Sequence, residues 1–228
     1  MEELFLNLNW DILRAVLIII GLDIILGGDN AVVIAMASRR LPKKGQNKAI
    51  VIGTVLAIII RVCLAGVAIY LLTIPYLQLI GGLFLLYIAI KLLKDDDDDP
   101  NIESSGTLFG AVKTIVIADV VMGFDNVLAI AAVSDENLYL VMFGLAVSIP
   151  IIIFGSKIIL RLMNRFPIIV FGGAALLAYT SAELILKDET VQNYLVYIPF
   201  ERVVIPIAFI VIVCTIGYNM KKNAVYKH

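Results

Sequence analysis

Residues 22–38 read LDIILGGDNAVVIAMAS, and residues 118–134 read ADVVMGFDNVLAIAAVS. Seven of the 17 paired positions are identical, and most of the others exchange one apolar residue for another. Each copy carries two aspartates six residues apart and then an asparagine: Asp23, Asp29 and Asn30 in the first, Asp119, Asp125 and Asn126 in the second. Both copies lie inside runs apolar enough to cross a bilayer. An acid at membrane depth costs roughly 2.5–3.5 kcal/mol even on the lowest scales, so such residues face a bundle interior or a wet cavity and mark a working site. Four of them, placed by an internal repeat, predict a transport site assembled from two matching halves.

The rest of the chain agrees with a membrane setting. It is 61% hydrophobic over 228 residues, against about 45–50% for a soluble domain. Apolar runs fall at about 12–37, 49–72, 74–93, 108–133, 138–161, 167–186 and 201–220, each near the ~20 residues a spanning helix needs. The predicted class is an all-α membrane protein of seven transmembrane helices, forming a single transmembrane domain over residues 1–228. Net charge is −1, which by itself says nothing about nucleic acid; no nucleic-acid partner is expected. Cys63 and Cys214 sit in apolar runs, start no metal-ligand spacing and are expected to be small buried hydrophobes. The opening MEELFLNLNW lacks a basic n-region and a cleavage site, so the first span is expected to be retained.

Charge sets the expected orientation. Arg39, Arg40, Lys43, Lys44 and Lys48 follow the first run, Arg161 and Arg165 the fifth, and Lys221, Lys222 and Lys227 the seventh. In an alternating chain these share one side, which the positive-inside rule makes cytoplasmic. The N-terminus is then outside and the C-terminus inside. The block Asp95–Asp99 falls in a cytoplasmic loop at about 94–107; it reads as a solvated linker, with a regulatory cation site as the other reading. The first motif begins with span 1 and the second with span 4, an odd separation that inverts the repeats. Pro75 is echoed by Pro167, and Gly81-Gly82 by Gly172-Gly173. The expected architecture is therefore 3+3 inverted repeats, about 12–93 and about 108–186, with an extra helix at about 201–220.

Depth and facing then locate the site. At 1.5 Å per residue, the four aspartates fall within roughly 12 Å along the bilayer normal, where secondary transporters bind their cargo. Asp23 and Asn30, like Asp119 and Asn126, are seven apart and share a helix face. Asp29 and Asp125 point elsewhere on a regular helix. Gly27, Gly28 and Gly123 precede them, and a break at these glycines would turn the second aspartates inward and free carbonyl oxygens. Carboxylates, carboxamides and carbonyls suit magnesium, calcium or manganese. The sole histidine, His228, is the last residue, so zinc and copper are disfavoured. Arg61, deep in span 2, reads as a fixed counter-ion more readily than as a substrate ligand. Glu183, near the outer end of span 6, has two readings: an outer gate or proton site, or a side chain reaching the interface. Lys113, Trp10, Tyr70, Tyr76, Tyr139 and Tyr197 suit interfacial positions.

At LDIILGGDNAVVIA and ADVVMGFDNVLAIA the chain resembles the TerC family of integral membrane proteins, in particular its YjbE-type bacterial branch. The likeness runs from span 1 through span 6. It implies a bacterial cytoplasmic-membrane protein that exports a metal ion, chiefly manganese, on Asp23, Asp29, Asn30, Asp119, Asp125 and Asn126. The CBS and transporter-associated domains that some members append are not present in this sequence, so regulation through them is not expected. No cofactor or enzymatic step is expected; the partners are the bilayer, the divalent ion and, as a coupling ion, protons, with homo-oligomerisation left open. Three competing readings remain. An intramembrane aspartyl protease would want Gly-x-Gly-Asp, but Leu26 stands where its first glycine would be. An exporter of another small solute, if anionic, would want more bases than Arg61. Delivery of metal to secreted proteins differs from export only in where the ion goes next.

Overall fold

The computed structural model describes residues 2–67, 74–94, 107–133, 138–195 and 201–225, and all regular structure there is helical. The acidic block Asp95–Asp99, Tyr70 and Tyr197 lie outside the described residues. The helices are α1 (Glu2–Leu26), α2 (Gly28–Ser38), α3 (Lys43–Ala65), α4 (Leu77–Lys94), α5 (Leu108–Val133), α6 (Leu138–Arg165), α7 (Ile168–Lys187), α8 (Glu189–Leu195) and α9 (Glu201–Val225). Among the described residues, four stretches are long and apolar enough to cross a bilayer: α3, Tyr139–Arg165 of α6, α7, and Arg202–Met220 of α9. The bent pair α1–α2 makes a fifth if it is one span, and the apolar part of α4, Leu77–Leu93, is shorter.

Local chemistry sets the helix ends. Pro42 precedes α3 and Pro167 precedes α7, where a missing N–H costs nothing. Thr107 Oγ1 accepts the Gly110 N–H at 3.0 Å and caps α5. Asp188 caps α8 by accepting from Thr190 N at 3.0 Å and Val191 N at 3.3 Å. Its other oxygen accepts from Leu79 N in the first turn of α4, at 3.2 Å. One buried carboxylate thus ties the starts of two helices together.

The core lies where α1, α3, α4, α5, α6 and α7 meet, around Ile19, Ile50, Leu85, Ile115, Leu145 and Leu177. Close approach depends on glycines. A Cβ at Gly144 of α6 would stand 2.5 Å from Ile19 of α1, and one at Gly53 of α3 would stand 2.8 Å from Ile115 of α5. Between α4 and α7, a Cβ at Gly82 would stand 2.5 Å from Ile185, and Ser181 Oγ donates to the Gly82 carbonyl at 2.7 Å. The outer surface is apolar, as a lipid-facing surface must be: Leu17, Ile59, Phe143, Phe154 and Val211 are all exposed. Cys63 is exposed and Cys214 half-buried, which corrects the expectation that both are buried; an apolar solvent removes the reason to hide a thiol.

Candidate functional site

The first motif breaks and the second does not. At Gly27 (φ −102°, ψ 13°) the chain leaves helical geometry, and α1 and α2 meet at 50°. Gly27 N donates to Asp23 O at 2.9 Å, and Gly27 O accepts from Asn30 N at 3.1 Å. A Cβ on Gly27 would stand 2.5 Å from Asp23 O, so the turn excludes any side chain there. In the second motif α5 runs unbroken through Gly123, Phe124 and Asp125. The predicted break at Gly123 is therefore corrected. Two adjacent glycines weaken the first helix, whereas Phe124 supports the second. Gly123 instead makes room for a guanidinium: its Cβ would lie 3.2 Å from Arg61 Nε.

Arg61 occupies the centre. Its Nη1 donates to Asp23 Oδ1 and its Nη2 to Asp119 Oδ1, so one guanidinium of α3 joins equivalent acids of the two motifs. The three residues are 1%, 0% and 8% exposed, respectively. Two carboxylates with one guanidinium leave a formal charge of −1 where water does not reach. In such a medium each ion needs its partner.

The motif amides are buried as well. Asn30 and Asn126 are 2% and 6% exposed. Among the described residues, eight buried side-chain polar atoms lack a hydrogen-bond partner: Asp23 Oδ2, Asp29 Oδ1, both amide atoms of Asn30, Thr54 Oγ1, Arg61 Nε, Asp119 Oδ2 and Asn126 Nδ2. All but Thr54 belong to the motifs or to Arg61. Buried polar groups are normally paired, and a cluster of exceptions calls for a ligand, a water or a working role.

Asp29, past the break, stands apart from Arg61's pair. It lines a cavity of about 320 Å³ together with Asn126 of α5 and Tyr179, Thr180, Glu183 and Lys187 of α7. Thr180 Oγ1 lies 3.3 Å from Asp29 Oδ2, and Tyr179 Oη donates to Glu183 Oε1 at 2.7 Å. Glu183 is exposed at the cavity. The side chain of Asp125 lies outside the described residues. Among the described residues, no three of Asp, Glu, His and Cys gather closely enough to hold a metal ion. The structure thus brings Asp23 and Asp119 together on Arg61 and brings Asp29 to Asn126 at the cavity.

Sequence reasoning missed Thr54 and Thr180. Thr54 precedes Arg61 by seven residues and so shares its face, a signal that was there to use. Thr180 stands in the polar stretch Tyr179–Glu183 of an otherwise apolar run.

These features define a multi-pass, all-helical membrane protein with a cluster of acidic and basic side chains in its interior. The chain belongs to the TerC family of integral membrane proteins, whose sequence profile matches residues 8–224. It is similar to the Bacillus subtilis membrane protein YjbE, 45% identical over 211 residues that cover 92% of this chain and 97% of that one. It is also similar to the Escherichia coli inner membrane protein YoaE, 30% identical over 175 residues, 68% of this chain but 33% of YoaE. The B. subtilis membrane protein YceF is 26% identical over 169 residues, 70% of this chain and 64% of YceF. No solved structure matches the chain significantly.

Proposed function

We propose that the chain is a carrier that exports a divalent cation, with Mn²⁺ as the first candidate, from the cytoplasm of a bacterium. One observation carries this reading: inside an apolar bundle, the buried oxygen and nitrogen atoms without partners fall almost entirely in the two repeated motifs and on the Arg61 that joins them. Carboxylate, carboxamide and hydroxyl groups are the donor set of hard dications. The cargo is bound by Asp23, Asp29, Asn30, Asp119, Asp125 and Asn126, with Arg61 as counter-ion. The protein acts without a cofactor and without bond-making chemistry. Glu183, at the cavity, serves as the gate or proton site of the outer side. Protons replace the dication on the return stroke.

The carrier has seven spans, N-terminus outside and C-terminus cytoplasmic, arranged as 3+3 inverted repeats with α9 added. Packing supports the pairing of the two halves, and the odd number of spans between the motifs supports their inversion. Exchanging span 1 with 4, 2 with 5 and 3 with 6 turns the α3–α5 contact into the contact of α6 with α1–α2. It also exchanges the α4–α5 and α2–α7 contacts, and leaves α4–α7 in place. The Ile19–Gly144 contact becomes the Ile115–Gly53 contact, with Ile19 and Ile115 at matching positions of the two copies. Length supports α4 and α5 as spans: their 18 and 26 residues extend about 27 and 39 Å at 1.5 Å each, against a hydrocarbon core of about 30 Å.

The test is uptake of ⁵⁴Mn²⁺ into inverted membrane vesicles with and without an imposed pH gradient. Uptake above that of vesicles lacking the protein is expected, reduced at least tenfold by Asp23→Asn or Asp119→Asn. Uptake equal to the empty control, or unchanged in both variants, would refute the reading.

A further inference from the structure

The cavity gives access to only part of the repeated motifs. Asp23 and Asp119 are held by Arg61 and do not line it, whereas Asp29 and Asn126 do. The third element on that volume is α7, which carries neither motif. Its Thr180 is the residue that touches Asp29.

The hydroxyl of Thr180 has one proton and two acceptors. Leu176 O lies at 3.0 Å, the usual partner of a helical threonine one turn back, and Asp29 Oδ2 lies at 3.3 Å. When the proton goes to Asp29, the hydroxyl stabilises the free carboxylate. When it goes to Leu176, the Thr180 lone pairs and the Asp29 oxygen face the same point, an arrangement that repels unless a cation lies between them. Rotation of one hydroxyl converts a hydrogen-bond donor into a ligand with no backbone movement. Two further unpartnered atoms belong to residues lining the same cavity. Asp29 Oδ1 is buried with no partner, and Asn126, 6% exposed and lining the same cavity, has an amide nitrogen with no partner. Asparagine brings an oxygen to the same place by turning its amide.

We infer that Asp29, Asn126 and Thr180 form a cation-binding position on the cavity side of Arg61, at which Thr180 Oγ1 is a direct ligand of an oxygen-seeking divalent ion. The inference rests on the carrier reading and adds a ligand from α7, outside both motifs. The ion meets Thr180 and Asp29 while Asp23 and Asp119 are still held by the guanidinium. The position is reached from the Tyr179–Glu183 rim of the cavity. It has no twin by internal symmetry, since the residue of α4 matching Thr180 under the Gly82–Gly173 pairing is Ala89. The two ends of the cargo path are therefore chemically different.

The experiment is titration of Mn²⁺, followed calorimetrically, into the purified full-length protein in detergent. Wild type, Thr180→Val and Thr180→Ser are compared, with Thr180→Ala as a second deletion of the hydroxyl should valine not pack. Removing the hydroxyl is expected to weaken Mn²⁺ binding about tenfold or more, in the range that lost metal-site partners produce. Thr180→Ser, which keeps the oxygen, is expected to bind within about twofold of wild type. A purely structural role would lower thermal stability in the valine or alanine variant while leaving affinity in place. Wild-type affinity in a folded Thr180→Val or Thr180→Ala protein would overturn the inference and leave the carrier reading standing. A wild-type protein that binds no Mn²⁺ would overturn both.

Discussion

Arg61 is the residue on which the interior depends. Its planar fork reaches Asp23 with one nitrogen and Asp119 with another, and Gly123 gives it the space. Breaking a buried ion pair by removing one partner costs roughly 3–5 kcal/mol, because the abandoned charge stays buried. Arg61→Met leaves two carboxylates facing each other, so its thermal unfolding temperature in detergent is expected to fall well below that of wild type. Added Mn²⁺ is expected to restore part of the loss, since a dication can take the place of the guanidinium between the two acids. Arg61→Lys is expected to fall in between, because an ammonium lacks the two-pronged geometry. A methionine variant as stable as wild type would show that the pairing contributes little, and a destabilised one insensitive to Mn²⁺ would show that no dication takes the guanidinium's place. The position of Arg61 was legible in the sequence as a base at membrane depth. That it would join both motifs was not, because a sequence gives the depth of a side chain but not which neighbours its five donors reach.

Among the elements, the α1–α2 break sets the two aspartates of one motif to different tasks. Both glycines weaken the helix, but only Gly27 has no room for a side chain. A Cβ on Gly27 would collide with Asp23 O, whereas one on Gly28 would meet nothing within 4 Å. Gly27→Ala is therefore expected to reduce Mn²⁺ transport severalfold or more. Gly28→Ala, which places a better helix former at the start of α2, is expected to retain it; alanine is worth about 0.5–1 kcal/mol over glycine inside a helix. Equal transport by the two variants in the vesicle assay would argue that the bend has no functional part. Most elements could be read from apolar runs: runs at 138–161 and 167–186 became α6 and α7 with ends shifted by a few residues. The run at 49–72 became α3 over Lys43–Ala65, beginning earlier because the Lys-rich start is helical although not apolar. The break in the first motif was readable from its paired glycines; its absence from the second depended on Phe124 and on Arg61 packing over Gly123. Thr180 was invisible for a different reason. A threonine in a helix ordinarily bonds its own preceding turn, and only the approach of Asp29 from another helix gives its hydroxyl a second partner.

For the whole molecule, two matched knobs hold the halves together. Ile19 enters the hollow at Gly144, and Ile115 enters the hollow at Gly53. Filling either hollow overpacks a tight crossing, at about 1–3 kcal/mol. Gly53→Ala and Gly144→Ala are each expected to lower thermal stability by similar amounts, whereas Gly155→Ala, with nothing near its Cβ, is expected not to. A large loss in one variant and none in the other would count against the two crossings being equivalent. The Asp23–Arg61–Asp119 cluster bears on a different property of the molecule, its behaviour in an electric field. Arg61 is covalently part of the chain and stays when the cargo leaves, so the empty site carries one unit less negative charge than its aspartates alone would give it. Each elementary charge carried across a membrane involves about 2.3 kcal/mol of electrical work per 100 mV. On the carrier reading, the arginine changes the charge moved on the proton-loaded return by that one unit.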